Sequence, residues 1–197
     1  MTCSRVQSGL LFAIVFLAAA TSLPSQANGR FATLKAQAFD AFQRGKYAEV
    51  AGKLEEVWEQ DQSDPKVAEY LAMGYLYGEH DTAKARPVMQ KAIELGGQAT
   101  FLVHHSHEHG SLLSGSTMNQ FCTGRIAITP GKLSFISDSG EHSATIAPAD
   151  LKDFRVLGSI PGRILIKAGG KNFTFSVRSE TRDEAVLLEQ IAEQYLK

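Results

Sequence analysis

The sequence predicts an α+β protein: N-terminal antiparallel α-hairpins packed on a seven-stranded antiparallel β-barrel or sandwich, capped by a C-terminal helix. Three observations point there. Residues 30–97 are rich in Ala, Glu, Lys and Gln, and their apolar positions return every three or four residues. Residues 100–178 are rich in Ile, Phe, Thr, Ser and Gly, and their apolar positions alternate in short runs. The remaining C-terminal segment reverts to a helical period.

Before the first helices comes a segment of a different kind. Arg5 supplies a positive charge, Leu10 to Ala20 is uninterrupted and apolar, and Ser25-Gln26-Ala27 offers small residues where a processing enzyme needs them. This is the pattern of a secretory signal peptide over residues 1–27. The apolar run falls short of the roughly 20 residues a membrane-spanning helix needs. The mature chain is expected to begin near Asn28 and to be secreted or periplasmic. Processing would remove Cys3 and leave Cys122 alone, so an internal disulfide is excluded.

Residues 28–98 are expected to form four helices in two hairpins. Leu34, Ala38, Ala41 and Phe42 share a face, as do Val50, Leu54, Val57 and Trp58 after the break at Gly45-Lys46-Tyr47. Asp64-Pro65 starts a third helix, because Asp accepts from free N–H groups and Pro fits the first turn. Its stripe is Val67, Tyr70, Leu71, Gly74 and Tyr77; the fourth helix, with Ala85, Val88, Met89, Ala92 and Ile93, stops at Gly96-Gly97. The second hairpin repeats the first about 35 residues on. Small residues at Ala38 and Gly74, the turn tyrosine Tyr47, and Val50, Ala85, Val57 and Ala92 in the second helices make this region resemble the tetratricopeptide repeat. The resemblance implies that the first helices of each hairpin bind a peptide, with Tyr70 and Tyr77 as candidate contacts. The second copy departs from the pattern: its turn is shortened around His80-Asp81, and Pro87 sits early in its last helix.

Residues 99–197 hold the predicted strands. Ile126 and Ile128, Leu133 and Phe135, Ile164 and Ile166, and Phe173, Phe175 and Val177 alternate, separated by turns at Pro130-Gly131, Asp138-Ser139-Gly140 and Gly169-Gly170. Thr181-x-x-Glu184 forms a capping box before the apolar face Leu187, Leu188, Ile191 and Tyr195. Seven strands followed by one helix resemble a pleckstrin-homology-like barrel.

The chemistry-bearing candidates cluster at Phe101–Gly110. His105, His107 and His109 are spaced by two, so an extended backbone puts them on one face. With Cys122 they form a candidate donor set suited to zinc or copper. The same histidines, lying at the junction of the two halves, could instead line the contact between them. A net charge of -1 gives no electrostatic case for nucleic acid, and no long apolar run in the mature chain argues for membrane association. No complete catalytic constellation is visible, so the expectation is a non-enzymatic scaffold or adaptor with a protein or peptide partner. The alternatives are metal binding through 104–109 and membrane-surface binding through the barrel.

Overall fold

The computed structural model describes residues 23–107, 120–158 and 162–196. Residues 1–22 of the expected signal peptide lie outside that part. The first helix begins at Leu23, ahead of the expected processing point. No helix among the described residues is long and apolar enough to cross a membrane.

Four helices come first: α1 (Leu23–Gln43), α2 (Tyr47–Gln60), α3 (Pro65–Gly74) and α4 (Thr82–Glu94). Each packs on the next in chain order. α1 ends because Gly45 takes φ 71°; its N–H donates to Phe42 O at 2.9 Å, and Lys46 N–H reaches Ala41 O at 2.9 Å. α4 ends the same way, with Gly96 at φ 85° and Gly97 N–H donating to Ala92 O at 2.8 Å. Asp64 caps α3, accepting from Lys66 and Val67 N–H at 3.0 and 3.3 Å ahead of Pro65. Between α3 and α4 the helix widens into a π turn, Tyr75–Glu79, and leaves it through His80 at φ 57°. The short connection read from the sequence at His80-Asp81 follows this π turn directly. Gly74 lies against α2 so closely that a Cβ would sit 2.8 Å from the Ala51 nitrogen.

Seven strands follow: β1 (Ala99–His107), β2 (Gln120–Thr129), β3 (Lys132–Ser137), β4 (Ser143–Ile146), β5 (Leu151–Val156), β6 (Arg163–Ala168) and β7 (Lys171–Val177), then α5 (Arg182–Tyr195). All pairings are antiparallel, in the order β4-β3-β2-β1-β7-β6-β5. The sheet is therefore one open layer of seven strands. A closed barrel would need a ladder between its edges β4 and β5, and the described residues form none. The edges follow one another in the chain, joined through a short 3₁₀ turn at Pro148–Asp150.

Alternation sets the inner face. Phe101, Val103, Ile126, Ile128, Leu133, Phe135, Ile164, Ile166, Phe175 and Val177 are buried there. α5 lays Leu187, Leu188, Ile191 and Ala192 into the same core. Two bonds tie it to the sheet: Val156 N–H donates to Glu189 in its middle at 3.1 Å, and Gly131 N–H to Tyr195 O at its C-terminal end at 2.9 Å. Buried residues of the helical half and of the sheet form one continuous cluster.

Candidate functional site

β1 sits between β2 and β7, so its side chains meet neighbours from both. His105 falls on the inner face, opposite Cys122 on one side and Phe175 on the other. Its ring packs 4.9 Å from Phe175, 5.1 Å from Phe135 and 6.3 Å from Phe173 between centroids. Its Nδ1 lies 3.8 Å from the Cys122 sulfur. Two of the four candidate donors are thus neighbours. His109 lies outside the described residues, as does the side chain of His107 at the end of β1. Among the described residues no three or more His, Cys, Asp or Glu side chains gather as metal ligands would. Burial raises the Cys122 pKa, which favours the thiol over the reactive thiolate. A cleft of about 260 Å³ opens between β4 and the β6–β7 turn, with Phe173, Lys171 and Asp150 in its lining.

Hydrogen bonds from other residues join the two halves. Tyr77 reaches from the π turn to the point where β7 departs from β1. Its hydroxyl accepts the Leu102 N–H at 2.7 Å and donates to Glu184 at 2.7 Å. Glu184 also accepts the Ser179 N–H at 3.2 Å and the Ser179 hydroxyl. It is 1% exposed, and burial, the largest cause, raises its pKa above the ordinary carboxylate value. Tyr77, buried beside that carboxylate, has its pKa raised well above the usual phenol. At the start of β1, Thr100 donates to Glu69 at 2.6 Å and Gln98 to the same carboxylate at 2.8 Å.

The sequence showed Glu184 as half of a capping box. Thr181 does accept the Glu184 N–H, at 3.4 Å, but the carboxylate turns away into the junction. One signal pointed there: Glu184 stands on the same helical stripe as Leu187, Leu188 and Ile191. A carboxylate on an apolar stripe needs a partner.

Tyr70, the other candidate peptide contact, belongs to a cluster of half-buried rings on α1 and α3. It lies 4.9 Å from Phe39 and 4.4 Å from Phe42 between centroids. The Lys66 ammonium sits over this cluster, 5.1 Å from the Phe39 ring and 5.7 Å from the Tyr70 ring. Beside it Lys35 pairs with the cap residue Asp64 at 2.9 Å.

Neither protein-family models nor curated proteins match this sequence. Among solved structures, one similar chain is the C-terminal domain of an unknown protein from Leishmania infantum. It is 19% identical, with a TM-score of 0.37, over 53% of this chain and 90% of that one. Another is the pleckstrin homology domain of USP37, 12% identical with a TM-score of 0.28, over 48% of this chain and 98% of that one. Among the described residues the protein has a helical N-terminal half followed by a seven-stranded antiparallel sheet with a C-terminal helix.

Proposed function

We propose that the chain is a secreted or periplasmic, non-enzymatic protein-interaction module, tetratricopeptide-like in its helical half and pleckstrin-homology-like in its sheet. The observation that carries this reading is the ring cluster Phe39, Phe42 and Tyr70 with Lys66 above it. Half-buried rings beside lysines offer a peptide both apolar area and polar anchors, and aromatic residues dominate interaction hot spots. The close seat of Gly74 on α2 supports the repeat reading, since that slot needs a small residue. Seven strands followed by one helix support the sheet reading. Export rests on the sequence of residues 1–27.

The test is capture from an envelope extract by the wild-type chain and by the double variant Phe39→Ala/Tyr70→Ala. Partners retained by the wild type and lost from the variant are expected. Identical capture by both chains removes the helical face from the function.

One specific distance favours a second reading, metal binding: Cys122 Sγ lies 3.8 Å from His105 Nδ1. Zinc or copper on that pair would release a proton from the thiol, so binding would weaken as pH falls. Stoichiometric metal in untagged protein, lost in Cys122→Ser, is the expected result. Metal content unchanged in that variant sinks the reading.

A further inference from the structure

The outer face of the sheet, away from the core, is used unevenly. The helical half covers the start of β1, where Thr100 is buried against Glu69. Toward β5 the cations are matched: Arg155 and Lys167 share Asp153 at 3.4 and 3.8 Å. On the central strands between these regions they are not. Arg163 stands opposite Ser176, which stands opposite His104. Arg178 donates its backbone N–H to Leu102 O at 2.9 Å, and Leu102 stands opposite Arg125, so those two arginines flank β1. None of the three arginines has a side-chain hydrogen bond or ion pair among the described residues, and the Arg163 Nε is buried without an acceptor. A buried donor in that state is stabilised by any oxygen brought to it.

The same face carries the exposed large hydrophobic side chains of the described residues, Phe121 at 49% and Ile136 at 52%. Ile136 stands opposite Arg125; Phe121 stands opposite Ser106, the next outward position on β1 after His104. Cross-strand neighbours lie about 5 Å apart, so cationic and apolar groups form one surface. Asp138 follows β3 at its rim, with its N–H on Thr123 O at 2.8 Å, which leaves the β6–β7 side as the more cationic one.

We infer that this face docks a partner-protein segment carrying both carboxylates and apolar side chains. Carboxylates pair with the arginines that flank β1, where guanidinium geometry allows two bonds each, and apolar side chains cover Phe121 and Ile136. A polyanion alone would leave both apolar residues in water. A second copy would set arginine against arginine. The surface is distinct from the α1–α3 ring cluster, so either proposal can fail alone.

The test is to pan a random dodecapeptide library on the immobilised full chain, with counter-selection on R125Q/R178Q/F121S/I136S. Selected peptides are then measured by fluorescence anisotropy. All four positions are exposed, and equal melting curves verify the variant's fold. Peptides combining Asp or Glu with Leu, Ile or Phe are expected. Their binding should weaken about tenfold or more in R125Q/R178Q and, separately, in F121S/I136S, and should fall with salt. Three results overturn the inference: no enrichment over the variant, selected peptides without carboxylates, or tighter binding of a heparin oligosaccharide that F121S/I136S leaves unchanged.

Discussion

At Glu184 a single carboxylate joins three parts of the chain: the π turn through Tyr77, the end of β7 through Ser179, and its own helix. Its pKa is raised by burial, and the direction fixes a pH dependence. Below its ordinary value of 4.5 the group is neutral in both folded and unfolded chains and contributes no slope. As pH rises through the higher native value, the unfolded chain ionises freely and the folded one resists. This group therefore removes stability as pH climbs, and its penalty is complete above the native pKa. The hydrogen bonds that Glu184 accepts from Ser179 and Tyr77 oppose the shift without cancelling it. The melting temperature of Glu184→Gln should accordingly vary less than that of the wild type between pH 4.5 and neutrality. Tyr77→Phe, which leaves the Leu102 N–H without its acceptor, should cost about 1–3 kcal/mol by denaturant unfolding. A double-mutant cycle of the two should show non-additivity, since both report on one bond.

Among the elements, the α2–α3 seam is a close contact that one glycine of the sequence marks. Gly74→Val should push the helices apart and cost about 1–3 kcal/mol, read from thermal melts, because the Ala51 backbone leaves no room for a Cβ. That contact was legible: a glycine inside an apolar stripe marks close approach. So were the helix ends at Gly45 and Gly96 and the cap at Asp64, because each rests on one residue's local chemistry. The alternation of β2, β3, β6 and β7 gave their inner faces directly. Less of the candidate site could be read. His105 and Cys122 become neighbours only through the β1–β2 register, which no local pattern encodes. The ring contacts of His105 come from β3 and β7, which are distant in sequence. The π turn was invisible for another reason: it inserts a residue into a helix without changing the apolar count. The opening between β4 and β5 depends on how far the sheet curls, a property of all seven strands together.

Taken whole, the molecule has one core, and the helical half is not a detachable arm. Val88, Met89 and Ile93 of α4 belong to the same buried cluster as Phe101 of β1 and Leu188 of α5. A single calorimetric transition is expected, with equal calorimetric and van't Hoff enthalpies. Two resolved transitions would mean that the halves fold separately. The central seat of β1 has a consequence for a chain made from its N-terminus. β1 to β4 are complete before β7 exists, so one edge of β1 remains unpaired through most of synthesis, open to any other extended chain it meets. Leu102 shows how that edge is finally closed: Tyr77, made early, takes its N–H, and Arg178, made late, donates to its carbonyl. Glu184 comes later still, so the bond that locks the helices to the sheet forms only when the last helix has emerged. A nascent chain halted before that helix would carry its helical half and its seven strands without the clasp that joins them.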